Sequence, residues 1–273
     1  MNLASSLRCE LIARAQQYAQ SQRLPHCLSY GENPVVCFEP QVDRSRHGNF
    51  HSESFKAISS NIDWMRRLTK VRPHGKRSLP RVDRGRWMEL DSCVSSDALL
   101  MNVFCHPRAL RSGRTLAVLG AENGSEICFG YKARVPLQNG KTDRTEVDLR
   151  LGSLLIEAKL TETDFQRAEK KVLAKYRDFR DVFLEEGLPQ TATHYLSYQL
   201  LRNVLAAYAS RCAFCVLLDA RRRDLIEDWY AVMSCVKPIE LRTGLSVLTW
   251  QELAGTLPIG LKTFLFEKYG IEA

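Results

Sequence analysis

Three ionisable side chains lie close together in Thr145-Glu-Val-Asp-Leu-Arg-Leu-Gly-Ser-Leu-Leu-Ile-Glu-Ala-Lys-Leu-Thr161: Asp148, Glu157 and Lys159. Residues two apart on a strand share a face, so Glu157 and Lys159 emerge together from a run that is otherwise apolar. Ionised groups rarely occupy such a run unless they are paired or bound to a metal. Mg²⁺ takes oxygen ligands, commonly one or two protein carboxylates. A neighbouring ammonium orients a water or stabilises charge that develops on phosphorus. The chemistry such a set would perform is metal-assisted phosphodiester hydrolysis. The same groups would equally serve as a structural ion pair beside an ordinary turn-proximal carboxylate.

Two strands and a turn must position them. Over Thr145–Arg150, Val147 and Leu149 alternate with Glu146, Asp148 and Arg150, the period-two pattern of a half-buried strand. Leu151-Gly152-Ser153 supplies the turn, and Leu154–Leu160 reads as a strand inside a sheet. Glu146 shares the face of Asp148. Upstream, Ser95-Ser96-Asp97 caps a helix through Phe104, and Glu126–Val135 reads as a further strand. Downstream, Thr163-Asp-Phe-Gln166 has the form of a capping box, and Phe165, Ala168, Val172, Tyr176, Phe179 and Phe183 fall at helical spacing. That predicts one long helix, ended by Gly187-Leu-Pro189. A second helix is expected over 194–210, a strand over 212–219, a strand over 245–249 and a last helix over 259–269.

Asp148 followed by Glu157-Ala158-Lys159 resembles the core motif of the PD-(D/E)XK, or restriction-endonuclease-like, nuclease superfamily, with Val147 standing where the family has Pro. The resemblance extends over about residues 90–250 and suggests a bacterial branch. It implies an α/β fold with an αβββαβ core, a mixed central sheet flanked by helices, here with a helical N-terminal extension. It implies that Asp148 and Glu157 bind one or two Mg²⁺ ions (Mn²⁺ substituting), aided by the main-chain carbonyl of Ala158. Lys159 then serves the nucleophilic water. Many members carry another acid on the first helix, where this chain offers Asp97 and Asn102, so Glu126 or Glu122 becomes the candidate third carboxylate. Glu146 is a candidate base set one step back from the metal. Gln199 matches a Gln that contacts the site in some branches. DNA is the implied substrate, cut by an endonuclease of restriction, defence or repair type, and a homodimer is a further implied partner. The alternative is a non-catalytic nucleic-acid-binding protein on the same scaffold.

At 273 residues, with 45% hydrophobic and 26% charged residues, the chain suits a globular fold with a sizeable core. A net charge of +8 favours polyanion partners. No apolar run approaches a membrane span. The N-terminal apolar residues are spaced as a helix face and interrupted by Arg8, Glu10 and Arg14, unlike a signal peptide, so a cytoplasmic protein is expected. Nine cysteines without a secretion signal point to reduced thiols, and Cys212–Cys215, the one CxxC, has no partner motif for zinc. From Arg66 to Arg86 nine Lys/Arg accompany a single acid, Asp83, between Trp64 and Trp87. This basic loop is either a solvated linker or a clamp on a nucleic-acid backbone through Arg66, Arg67, Lys70, Arg72, Lys76 and Arg77. The expected division is an N-terminal extension, 1–89, and a nuclease core, 90–273.

Overall fold

In the middle of the chain, β-branched and leucine-rich runs separated by tight turns assemble into one sheet. The computed structural model describes residues 2–29, 34–39, 45–70 and 87–273. Five strands form the sheet in the order Leu245–Thr249, Ala213–Leu218, Leu154–Ala158, Glu146–Leu151, Ile127–Lys132. The first three in that order run parallel, and the last two are joined on antiparallel, so the sheet is mixed. Leu154–Ala158 is central and buried at every position. Its continuous apolar character follows from that, since a strand covered on both faces has no solvent side to alternate with. The fold is thus a mixed α/β one, with a mixed central sheet as the resemblance implies.

The described residues divide into two compact units, one of residues 1–118 with 250–273 and one of residues 119–249. The expected boundary after residue 89 does not coincide with this division: the helix Ser96–Phe104, read as the first of the nuclease core, falls in the first unit. Its capping is as expected, Ser95 accepting a hydrogen bond from the Ala98 amide.

The sheet lies wholly in the second unit, where the helices Tyr198–Ser210 and Arg223–Ser234 share a core with it. Leu200, Leu201, Val204 and Leu205 of the first helix join Leu155, Phe214 and Val216 of the sheet in that core. Trp229 packs edge-on against Phe214 with ring centroids 5.3 Å apart, and its indole N–H donates to the Ser246 carbonyl at 2.9 Å.

The long helix expected after Lys159 is absent. In its place are a two-residue strand, Ala168–Glu169, and the short helices Lys170–Leu173 and Phe179–Val182. Asp164 accepts from the Gln166 amide at 2.7 Å, an Asx turn in place of a capping box, and Gln166 has φ 60°. Ala168–Glu169 then pairs with His194–Tyr195, which delays the next helix to Tyr198. The aromatic residues are buried as the spacing demanded, but on irregular backbone held by tertiary pairing.

The first unit opens with the helix Leu3–Ser21, whose Leu7, Leu11, Ala15 and Ala19 are buried. Two further helices follow, Ser52–Ser60 and Ile62–Arg67, broken at Asn61, which caps the second. No helix among the described residues is long and apolar enough to cross a membrane.

Candidate active site

Gly152 turns the chain between the Asp148 and Glu157 strands with φ 57°, a left-handed conformation that glycine adopts without strain. The ladder above it pairs Leu151 with Leu154, Arg150 with Leu155 and Leu149 with Ile156. Continued by one step, that register sets Asp148 across from Glu157. Here the strands part. The Ala158 amide, which another main-chain carbonyl would otherwise accept, donates instead to Asp148 Oδ2 at 2.8 Å. In a strand the N–H and C=O of one residue point to the same side, so the Ala158 carbonyl also faces the Asp148 strand.

Glu157 and Lys159 are 3% and 5% exposed, and they pair at 2.9 Å through Oε1 and Nζ. Neither stands on that contact alone. Gln199 Oε1 accepts from Lys159 Nζ at 2.9 Å, and Asn203 Nδ2 donates to Glu157 Oε2 at 2.7 Å. Burial alone would depress the lysine pKa. Glu157, Glu162 and Asp148 outweigh it and hold the pKa above the ordinary lysine value. Lys159 is thus held as an ammonium that donates hydrogen bonds to Glu157 and Gln199.

Other side chains brace this arrangement. Arg202, nearly buried, donates to the carbonyls of Thr145 at 3.0 Å and Glu146 at 2.7 Å, anchoring the start of the Asp148 strand. Arg222, fully buried, donates to the carbonyls of Glu162 at 2.5 Å and Thr163 at 3.2 Å, and pairs with Asp224. Glu162 Oε2 in turn accepts from the Leu160 amide at 2.7 Å. Of Arg221, Arg222 and Arg223, Arg222 supports the chain just beyond Lys159, Arg221 pairs with the buried Asp219, and Arg223 is exposed at the start of a helix.

The structure brings together Asp148, Glu157, Ala158, Lys159 and Gln199. Glu126 is not among them. Phe129 pairs with Leu149 and Tyr131 with Val147, so Gly130 faces Asp148 and Glu126 lies four residues along, beside Gly152. At about 3.3 Å per residue that is roughly 13 Å away. Glu146 is exposed on the Asp148 strand, and Glu122 is exposed in the turn before the first strand. Of the basic residues, Arg66 is exposed and pairs with Asp63, whereas Arg67 and Lys70 both pair with Asp97. Asp97, weighed as a third carboxylate, is thereby already matched by two cations. Arg72, Lys76 and Arg77 lie outside the described residues. Asn203, Arg202 and Glu162 were not singled out by sequence reasoning, although Asn203 stands four residues after Gln199, which places both on one helix face.

The donor set fits a hard divalent cation: two carboxylates on adjacent strands and a main-chain carbonyl, all oxygen. Among the described residues no group of three or more His, Cys, Asp or Glu side chains is arranged to hold a metal ion. An ion held by these oxygens would have water and substrate completing its shell.

A family model described as "Restriction Endonuclease associating with ARP" matches residues 12–270. The chain belongs to this family. Comparison with curated proteins and with solved structures gave no match. The match spans nearly the whole chain, so both units belong to the family's extent. Membership of a restriction-endonuclease family agrees with the Asp148…Glu157-Ala158-Lys159 motif and gives the nuclease class as the coarse assignment.

Proposed function

We propose that the chain is a Mg²⁺-dependent endonuclease that hydrolyses phosphodiester bonds in DNA, with Asp148, Glu157 and the Ala158 carbonyl holding the ion. The observation that carries this reading is the buried Lys159 ammonium, held between Glu157 and Gln199 beside the parted strands. Mg²⁺, when bound, supplies positive charge beside a phosphate oxygen. The chain's own residues do the rest. Glu157 and Gln199 aim the ammonium, which donates a hydrogen bond to the attacking water or to an oxygen gaining charge. The proton lost by the water passes to solvent or to a phosphate oxygen. Asp148, tied to the Ala158 amide, presents its carboxylate in one orientation.

The test is cleavage of plasmid and linear DNA by the purified protein with Mg²⁺, Mn²⁺ or chelator. Lys159→Met and Asp148→Asn are each expected to lower the rate by about 100-fold or more, the size of losing one preorganised charge-stabilising group. Undiminished cleavage by either folded variant would overturn the mechanism. DNA binding that is sensitive to salt and indifferent to chelator, with no cleavage under any metal, would select the non-catalytic alternative.

A further inference from the structure

We infer that Asn203 is the residue that sets Glu157 for cation binding, acting as a positioning residue from the helix Tyr198–Ser210. The inference rests on the nuclease reading above and deepens it. Glu157 sits in the interior of the central strand, where its carboxylate has two oxygens to satisfy and almost no access to solvent. Lys159 takes Oε1 and Asn203 takes Oε2, so the carboxylate plane is defined by one donor on each side. Without the second donor, only the Lys159 contact at Oε1 would restrain rotation about the last side-chain bond.

The amide's orientation supports this assignment. Asn203 is fully buried, and with Nδ2 turned to Glu157 its Oδ1 is left without a hydrogen-bond partner. A buried carbonyl oxygen is costly to leave unpaired. The orientation is held because the opposite one would set an amide oxygen against a carboxylate oxygen 2.7 Å away. The unpartnered Oδ1 also offers an acceptor inside the site that a water could fill once the site is loaded.

Gln199 performs the converse task four residues earlier on the same helix face. Its carbonyl oxygen accepts from the ammonium, while the Asn203 amide N–H donates to the carboxylate. One helix thus reads both signs of the pair with two neutral side chains, and exchanging their roles would break both contacts. Outer partners that orient a metal-holding group typically account for 10–100-fold in metal affinity.

The experiment is titration of the full-length protein with Mn²⁺ alone, followed by electron paramagnetic resonance of the free ion, beside thermal melting of the metal-free chain. Wild type should bind Mn²⁺. Asn203→Leu, with the same branching and number of heavy atoms but lacking the donor, should bind about 10-fold more weakly or worse. Asn203→Gln, which keeps an amide donor, should recover part of that loss. The KM for DNA should move far less than the Mn²⁺ half-saturation. Equal Mn²⁺ affinity in wild type and Asn203→Leu would overturn the inference and leave the nuclease reading standing. No Mn²⁺ binding by wild type would overturn the nuclease reading itself, and this inference with it. Should the leucine variant fail to fold, Asn203→Ala carries the same expectation, because it also removes the donor and leaves room for water.

Discussion

Removing Glu157 takes away more than a metal ligand. Its carboxylate is bonded directly to a lysine that is 5% exposed, so Glu157→Ala strands a charge inside a sheet. Breaking a buried pair from one side costs about 3–5 kcal/mol, whereas replacing both partners with apolar groups is often nearly neutral. In urea denaturation Glu157→Ala should therefore lose about that much stability, and Glu157→Leu combined with Lys159→Met should regain most of it. If the single variant unfolds at the wild-type urea concentration, the pair does not hold the strand together. The consequence for activity assays is direct: an inactive Glu157→Ala protein is informative only beside a stability measurement, and Glu157→Gln is the better probe. At this scale the sequence was legible where charge broke an apolar run. Glu157 and Lys159 stand out for that reason, whereas Asn203 does not. A polar residue on a helix face reads as solvent-exposed until the sheet it faces is known to present a carboxylate.

The turn between the two motif strands makes a comparable demand on the backbone. Gly152 has φ 57°, and a Cβ placed there would approach Ser125 Oγ to 2.7 Å. Gly152→Ala should destabilise the protein by about 1–3 kcal/mol, the range for a left-handed non-glycine residue. Because the turn sets the register that places Asp148 across from Glu157, the same variant should weaken Mn²⁺ binding. Wild-type melting temperature and Mn²⁺ affinity in Gly152→Ala would refute the claim that this turn sets the site. The five sheet strands were readable from local pattern, since each is a short apolar or alternating run closed by turn residues. The segment from Thr163 to Thr193 was not. Its aromatic spacing satisfies a helix, yet the Asx turn at Asp164 and the pairing of Ala168–Glu169 with His194–Tyr195 decide its path. Tertiary contacts overrode a local period there. Arg221, Arg222 and Arg223 are a further case, because a charge run says nothing about carbonyls waiting to receive it. Arg222 is buried because the chain after Lys159 presents the carbonyls of Glu162 and Thr163 to it.

Across the whole molecule, the unit of residues 1–118 and 250–273 carries a titratable feature that a nuclease motif gives no reason to expect. His106 is 2% exposed; its Nδ1 accepts from the Arg108 amide at 3.2 Å, which places the proton of the neutral ring on Nε2. That atom is buried without a hydrogen-bond partner, with Glu53 Oε2 at 3.6 Å and the His51 ring centroid 5.2 Å away. Burial, then the neighbouring His51, pulls its pKa down to about 4, against which Glu53 acts only in part. His51 is lowered too, again chiefly by burial. An unfolded histidine titrates near 6.5. Between about 6.5 and about 4 the unfolded chain therefore binds a proton that the folded chain refuses, and stability rises with pH. The contribution of His106 is complete above the unfolded value and drains away as pH falls through that window. Melting curves recorded from pH 8 down to pH 4 should show wild type losing stability below about 6.5. His106→Gln, which cannot take the proton, should have the flatter profile even if its melting temperature at pH 8 is lower. The comparison of slopes matters because a chain of net charge +8 gains further positive charge in acid, and that repulsion weakens both proteins alike. Parallel profiles would mean that the imidazole is not the group that limits stability in acid. A flatter variant profile would tie the acid limb to a histidine outside the sheet that carries Asp148, Glu157 and Lys159, and so separate the stability of the molecule from the ionisation of its proposed site.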